Sequence, residues 1–192
     1  MGLSQTAGSD YGFVLCRLRS REDVTALENA LCGKTNVYTT EVTLPFDSGV
    51  IERMEAVMRA RWPGVQIEPR DVRRTAEERG MTEMEVIQSL SLVEMFVPND
   101  GTDAYFEIFA DNALVSIPYG HRPPRMDVAL LRVWEYLEAL EQELSCVTFD
   151  PQHRRVISLT KDFDVVKTKY AYLAERSAEV DGGRPGRWWK LW

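Results

Sequence analysis

Apolar and polar positions along this chain recur with two periods, one typical of strands and one typical of helices. An almost continuous apolar run at 11–18 predicts a strand buried on both faces. Three further runs, at 92–97, 104–109 and 113–118, also predict strands. They are joined by Pro98-Asn99-Asp100-Gly101 and by Asp111-Asn112, which are turn-forming sequences. The three runs are therefore predicted to form an antiparallel meander.

Shorter apolar runs predict the remaining strands. They lie at 38–46, 65–68, 146–149 and 156–159. The last two flank the turn Asp150-Pro151-Gln152, so we expect them to form a second hairpin.

Helical spacing of apolar residues separates these strands. The strongest amphipathic helix follows Pro123-Pro124, with an apolar face of Val128, Leu131, Trp134, Leu137, Leu140 and Leu144. The other predicted faces are Val24, Leu27 and Leu31; Val50, Met54, Val57 and Met58; Met84, Ile87 and Leu90; and Phe163, Val166, Tyr170 and Leu173. Ser20, Thr82 and Thr160 are the expected N-terminal caps. The charged stretch 70–80 is assigned no element, because Gly80 ends any helix there.

These elements predict an α+β fold, in which an antiparallel sheet, made of the three-stranded meander and the hairpin, packs against amphipathic helices. The chain has 192 residues, of which 44% are hydrophobic and 28% charged, as is usual for one folded domain. We expect residues 10–180 to form a single α+β domain, and 181–192 to be a flexible linker with a Trp-rich C-terminal tail.

The cysteines and the hydropathy indicate a compartment. Cys16, Cys32 and Cys146 are far apart and show no metal or redox spacing, which predicts buried thiols in a reducing, cytoplasmic setting. No apolar run is long enough to predict a membrane span.

No residues in the sequence have the spacing of a known catalytic motif. Gly33-Lys34-Thr35 lacks the earlier glycine of a phosphate-binding loop. His121 and His153 lie in turns without metal-ligand spacing and are interpreted as surface-loop residues. Asp162-Phe163-Asp164 has the form of a metal-binding triplet, but its place in a first helical turn favours stabilisation of the helix start. We therefore expect no catalytic residue, no metal and no cofactor.

Negative charge is concentrated in one part of the chain. Residues 91–150 hold 11 acidic and 3 basic residues, a difference of −8 against −7 for the whole chain. Such a field repels nucleic acid and speeds association with a basic protein, although it also serves solubility alone. The arginines at 59–79 alternate with acids and lack aromatic neighbours, so nucleic-acid binding is not expected.

These features give a set of candidate partner-binding residues. They are Asp100, Asp103, Asp111, Glu135, Glu138 and Glu141 from the acidic segment, and Trp188, Trp189 and Trp192 from the tail. The tail is predicted to pack on its own domain, on a partner or on a second copy of the chain, with membrane contact the least favoured outcome. Whether the chain forms a homodimer stays open.

Two resemblances bear on function. The element order from Thr82 to Arg176 resembles the type III secretion chaperone fold. The segments Phe106-Glu107-Ile108-Phe109, Val115-Ser116-Ile117-Pro118-Tyr119, Trp134-Glu135-Tyr136-Leu137, Phe149-Asp150-Pro151-Gln152 and Val156-Ile157-Ser158-Leu159 are similar to segments of actinobacterial polymorphic-toxin immunity proteins. The second resemblance implies a cytoplasmic bacterial protein that blocks a toxin by covering its active site, and it transfers no functional residue.

Three functional hypotheses follow. The first is a non-enzymatic immunity protein that uses its acidic surface against a basic toxin. The second is a secretion chaperone or adaptor that binds an extended client. The third is an enzyme whose site is assembled from dispersed residues such as His121, Asp111 and Arg125.

Overall fold

A computed structural model describes residues 10–33 and 39–180. Its strands are β1 (Asp10–Leu18), β2 (Thr43–Leu44), β3 (Gln66–Pro69), β4 (Val93–Phe96), β5 (Tyr105–Ile108), β6 (Ala113–Pro118), β7 (Cys146–Asp150) and β8 (Arg155–Val156). Within the described residues they form one antiparallel sheet in the order β3-β4-β5-β6-β1-β7-β8, and β2 pairs with the end of β1.

Helices connect and cover the strands. They are α1 (Val24–Leu31), α2 (Thr39–Val42), α3 (Ser48–Arg61), α4 (Val72–Arg79), α5 (Glu83–Ser89), α6 (Arg125–Leu144) and α7 (Phe163–Val180). The predicted α+β class is confirmed, with the meander β4-β5-β6 and the hairpin β7-β8 both present. The linker and tail from 181 onward lie outside the described residues.

Strand β1 runs through the centre of the sheet and is buried on both faces. Its residues Tyr11, Phe13 and Leu15 face the main core, on which α3, α6 and α7 pack. Val14 and Cys16 face a smaller core that α1 completes from the other side. Because both faces are covered, nearly every position of β1 must be apolar, which is the pattern that predicted this strand.

Helix α6 crosses the main core and buries most of its length. Trp134, Leu137, Leu140 and Leu144 are buried as predicted, and the Trp134 indole Nε1 donates a hydrogen bond to the Leu159 carbonyl at 2.7 Å. The helix also buries Met126, Ala129, Leu130, Val133, Tyr136 and Ala139. Each large apolar side chain buried in this way stabilises the fold by about 1.5–3 kcal/mol.

Two members of the predicted apolar face of α6 lie elsewhere. Val128 and Leu131 are 62% and 52% exposed. At 3.6 residues per turn they share a side of the helix with Glu135 and Glu138, away from the sheet. The prediction for these two residues is wrong because apolar spacing alone does not separate a wide buried stripe from an exposed neighbouring one.

The predicted strand at 38–46 is wrong over most of its length. Residues Thr39–Val42 form α2, and only Thr43–Leu44 pair with a neighbour. Strand β1 offers little room here, because β6 already pairs with it up to Leu15, and β2 adds partners only at Arg17 and Leu18. The apolar residue Val42 is instead buried in the smaller core from a helical turn.

The charged stretch 70–80 contains a helix that the sequence analysis did not assign. Asp71 caps α4 by accepting a hydrogen bond from the Arg74 backbone N–H, and Gly80 ends it in the left-handed conformation with φ 63°. Pairs of arginine and glutamate one turn apart, such as Arg74 with Glu78 at 2.7 Å, line its exposed side. Gly80 therefore ends a helix, α4, in a stretch where the sequence predicted none.

Smaller differences concern helix ends and faces. The capping box of Thr82 and Glu85 is confirmed, yet Val86 is the buried residue of α5 and Met84 is 60% exposed. Asp162, not Thr160, fastens the start of α7, since its carbonyl accepts from the Val166 N–H and its side chain accepts from Ser158 N at 2.7 Å. The acidic triplet lies at a helix start as expected, and stabilisation of α7 by its charges stays a prediction.

Candidate functional site

The solvent-facing side of α6, called here the α6 outer face, combines apolar and acidic side chains. It is formed by Val128, Leu131, Glu135, Glu138 and Gln142. Both apolar residues are more than half exposed, while the opposite side of the same helix is packed in the core. The α6 outer face is therefore held on a rigid support.

The predicted acids on α6 differ in their surroundings. Glu135 forms an ion pair with Arg132 at 2.5 Å, whereas Glu138 is exposed and has no ion-pair partner among the described side chains. Glu141 is half-buried beside β7, where burial raises the pKa of its carboxyl group and the nearby Thr148 acts in the opposite direction. Glu138 and Glu141 line a shallow depression of about 380 Å³ that continues the α6 outer face toward Leu159 and Thr160.

Asp100 has a structural role in the loop between β4 and β5. Its carboxylate accepts hydrogen bonds from the Thr102 N–H at 2.9 Å, from the Thr102 hydroxyl at 2.8 Å and from the Tyr136 hydroxyl of α6. Asp103, in the same loop, is exposed and pairs with Arg125 at 3.1 Å. The loop is thus fastened to both the start and the middle of α6.

The remaining predicted partner-binding residues lie apart from this group. Asp111 lies in the β5–β6 turn, at one end of β5. The loop that holds Asp100 is at the other end of that strand. Trp188, Trp189 and Trp192 lie outside the described residues. Within the described chain, the predicted acids therefore gather around α6 with the exception of Asp111.

The structure adds an acidic row on the sheet. Cross-strand partners in register run from Glu68 on β3 through Glu94 on β4 to Glu107 on β5. The row continues into apolar residues, with Leu114 opposite Glu107 and Val14 opposite Leu114. Residues that are partners in register share a face, so the same face of the sheet changes from acidic at β3–β5 to apolar at β6 and β1.

Arg70 offsets part of the charge in this row. Its guanidinium donates to Glu94 at 2.7 Å and to the Ser91 hydroxyl at 3.0 Å, and Glu94 is 32% exposed. Burial and the neighbouring Glu94 raise the pKa of Glu107, while Arg70 acts in the opposite direction. Burial and a hydrogen bond to Glu94 raise the pKa of the Tyr105 hydroxyl. The apolar–polar–apolar sequences Val93-Glu94-Met95 and Phe106-Glu107-Ile108 are the sequence signal for this face.

Neither histidine is the surface-loop residue that the sequence predicted. His121 is 3% exposed, and its Nε2 donates to the Thr102 carbonyl. The residues on either side of it, Gly120 and Arg122, are exposed, and the imidazole alone is buried against the loop that contains Thr102. His153 is exposed over only 19% of its side chain and contacts Asp150. The two histidines are therefore buried by different partners, His121 by the loop at Thr102 and His153 by Asp150 and by Tyr11 of β1.

His153 belongs to a buried hydrogen-bonded cluster at the β7–β8 turn. Asp150 is fully buried, and its Oδ1 accepts from the backbone N–H groups of Gln152 at 2.8 Å and His153 at 3.0 Å. Its Oδ2 accepts from the Tyr11 hydroxyl at 2.7 Å and lies 2.7 Å from His153 Nδ1. A buried carboxylate is tolerated when each oxygen is satisfied by donors in this way.

A shallow groove adjoins this cluster on α7. It has a volume of about 570 Å³ and is lined by His153, Asp164, Val165, Thr168, Lys169 and Tyr172. Val165 and Tyr172 are 47% and 50% exposed, and the Lys169 ammonium lies 5.9 Å from the centre of the Tyr172 ring. This site could not be predicted from sequence, because no local motif joins Tyr11 to a turn at 150–153.

The dispersed catalytic set considered from sequence is not assembled. His121 and Arg125 both approach Asp103, at 3.9 Å and 3.1 Å, but Asp111 lies at the far end of β5. The thiols of Cys16 and Cys146 are also poor nucleophiles, since burial raises the pKa of Cys146 to about 12 and raises that of Cys16 as well.

The described ranges 10–33 and 39–180 contain no group of three or more His, Cys, Asp or Glu side chains placed to hold a metal ion. No helix in this part of the chain has the length and apolar character needed to cross a bilayer. Comparison with protein-family models, with curated proteins and with solved structures found no match. Function must therefore be argued from the surfaces themselves.

Proposed function

We propose that this chain is a protein-binding module, an immunity protein that neutralises a cognate bacterial toxin through an acidic surface centred on the α6 outer face. The observation that carries the proposal is the position of Val128 and Leu131. They are exposed on the same helical side as Glu135 and Glu138. Apolar anchors beside charged groups are the composition of a binding surface.

The rigidity of the helix supports this role. Because α6 is held by its buried side, Val128 and Leu131 would lose little conformational freedom when a partner covers them. Two neighbouring apolar side chains that are more than half exposed leave most of their surface available to a partner.

The charge supports a basic partner. Glu135 and Glu138 continue the same side of α6, and only Glu135 has an ion-pair partner among the described residues, Arg132. Like-signed charge of this kind steers a cationic partner toward the surface and increases the association rate, and salt screens the effect. The partner surface expected from this chemistry is an apolar pocket surrounded by lysine or arginine.

The test is protection against the toxin domain encoded beside the gene for this chain. Co-expression with that domain should restore growth, and the double variant V128D/L131D should lose protection while keeping a native unfolding transition. Val133→Asp provides the contrast, because Val133 is fully buried and this change should unfold the protein. Full protection by the folded V128D/L131D protein would contradict the proposed surface.

The electrostatic part has its own measurement. Reversal of Glu135 and Glu138 to lysine should lower the association rate with the same toxin domain by about 10-fold or more at low salt. Reversal of Glu52 and Glu83 makes the same change in net charge on α3 and α5, outside the α6 outer face. An equal loss of association rate in the two double variants would mean that only net charge affects binding.

A secretion chaperone or adaptor is the second candidate, and the acidic row on the sheet favours it. Strand β3 is the edge of the sheet at Gln66–Pro69, next to Glu94 and Glu107. An extended basic client could add a strand there. Binding of such a client would protect the β3 amides from hydrogen exchange, whereas a toxin on α6 would leave them unchanged.

A further inference from the structure

The cluster at the β7–β8 turn contains more hydrogen-bonding side chains than a turn requires. Oδ1 of Asp150 already binds the two backbone N–H groups of the turn, and an asparagine would accept them equally well. Oδ2 is the atom that an asparagine could not replace. It meets two side-chain donors, the Tyr11 hydroxyl and the ring nitrogen Nδ1 of His153.

This arrangement determines the tautomer of His153. Oδ2 of the buried Asp150 carboxylate lies 2.7 Å from Nδ1 of His153. Nδ1 must therefore carry a hydrogen, since two acceptor atoms at this distance would repel each other. In the neutral ring the lone pair is then on Nε2. Tyr11 is fully buried and fixes Asp150 from β1, so the orientation of the imidazole is set by two separate strands.

The free nitrogen reaches solvent. Nε2 of His153 has no hydrogen-bond partner among the described residues, and it is not among the buried atoms that lack one. His153 lines the α7 groove beside Lys169 and Tyr172. A carboxylate, an imidazole of fixed tautomer and an open basic nitrogen form the acid–base part of many hydrolytic sites.

We propose that His153 is a general base for hydrolysis of an ester bound in the α7 groove. The apolar part of the ester would lie on Val165 and Tyr172, which are exposed on the same side of α7 and two turns apart. The open form of the groove suits an extended acyl chain better than a compact, enclosed ligand. This activity is separate from the proposed binding surface on α6 and does not depend on it.

The reaction step balances without a cofactor. Nε2 takes a proton from a water molecule as the water oxygen forms a bond to the acyl carbon. The carbonyl oxygen becomes an oxyanion, which the Lys169 ammonium stabilises. The oxyanion then re-forms the carbonyl as the bond to the leaving alkoxide breaks, and the imidazolium returns its proton to that oxygen.

The activity test uses p-nitrophenyl butyrate and the full chain. His153→Gln should lower the rate by about 100-fold or more, the usual contribution of a general base. Lys169→Met should lower it by at least about 10-fold. Lys161→Met is the matched control, since Lys161 is exposed but does not line the groove, and it should leave the rate unchanged. A wild-type rate no higher than that of His153→Gln, or equal rates for both lysine variants, overturns the proposal.

A second measurement needs neither substrate nor variant. Nitrogen-15 NMR of the imidazole in the wild-type protein should show a protonated Nδ1 and an unprotonated Nε2 in the neutral ring. A hydrogen on Nε2 in that state would remove the base and contradict the proposal even if some ester were hydrolysed. If His153→Gln fails to fold, the comparison of Lys169→Met with Lys161→Met and this spectrum decide the question.

Discussion

Glu94 of β4 lies directly opposite Glu107 of β5, with both side chains on the half-exposed face of the sheet. Like charges in this position oppose strand pairing by an amount comparable to a good cross-strand contact. Arg70 binds Glu94 but has no hydrogen bond to Glu107. The fold therefore retains an unfavourable pair, which is consistent with a surface kept for binding.

The first prediction concerns this pair. Burial and Glu94 raise the pKa of Glu107, so the folded state holds that proton more tightly than the unfolded chain does. The associated stability is complete below the unfolded pKa of about 4.3 and is lost as pH rises through the folded pKa. Glu107→Gln should therefore stabilise the protein by about 0.5 kcal/mol at pH 7, with no gain near pH 4. Urea unfolding at both pH values measures this, with Glu52→Gln on α3 as the control.

The second prediction concerns the end of α4. Gly80 has φ 63°, and a Cβ there would meet nothing within 4 Å, so strain comes from the backbone alone. Gly80→Ala should cost about 1 kcal/mol of unfolding free energy. Gly64 is equally open but does not have a positive φ, and Gly64→Ala should have a smaller effect. Equal losses in thermal unfolding for the two variants would argue against the left-handed cap.

The correct predictions from sequence rest on local signals. The capping box at Thr82 and Glu85 and the turn at Asp111-Asn112 each depend on residues within four positions of one another, and both are present. The strand predicted at 38–46 failed because the space beside β1 was already occupied by β6. Local propensity does not contain that information, since it depends on a partner far along the chain.

The candidate sites show the same division. Glu135 and Glu138 were predicted from the concentration of acidic residues in 91–150, and the helical period of α6 places them on one side. The hydrogen bond from Tyr11 to Asp150 joins residues 139 positions apart, on the neighbouring strands β1 and β7. The sequence did not reveal that these two strands are paired or in which register. The burial of His121 likewise depends on a loop that returns from Thr102.

The third prediction tests the loop between β4 and β5. Asp100→Ala removes the acceptor shared by Thr102 and the Tyr136 hydroxyl, and should cost about 1–3 kcal/mol because Tyr136 is buried. Tyr136→Phe removes only one of these bonds. If the two residues act together, the double variant should lose less than the two single variants combined. Additive losses in denaturant unfolding would show that the hydrogen bond contributes nothing, and Asp103→Ala in the same loop should stay within about 0.5 kcal/mol.

The fourth prediction isolates the donor that Tyr11 provides. Its hydroxyl is buried and donates to the Asp150 carboxylate, a bond to a charged acceptor that is worth about 1.5–3 kcal/mol. Tyr11→Phe keeps the ring contacts with Phe13 and Tyr170 but leaves Asp150 Oδ2 with His153 as its only side-chain donor. We expect a loss of stability in that range by urea unfolding.

Tyr119→Phe is the matched control for this change. Tyr119 packs against Tyr11 at 6.3 Å between ring centroids and is also buried, but its hydroxyl has no hydrogen-bond partner among the described residues. Removing that hydroxyl should therefore cost less than about 0.5 kcal/mol. If Tyr11→Phe is as mild as the control, Asp150 is satisfied without Tyr11, and the imidazole of His153 is oriented by Asp150 and the turn alone. If Tyr11→Phe is costly, the charge on Asp150 depends on a strand at the other end of the chain.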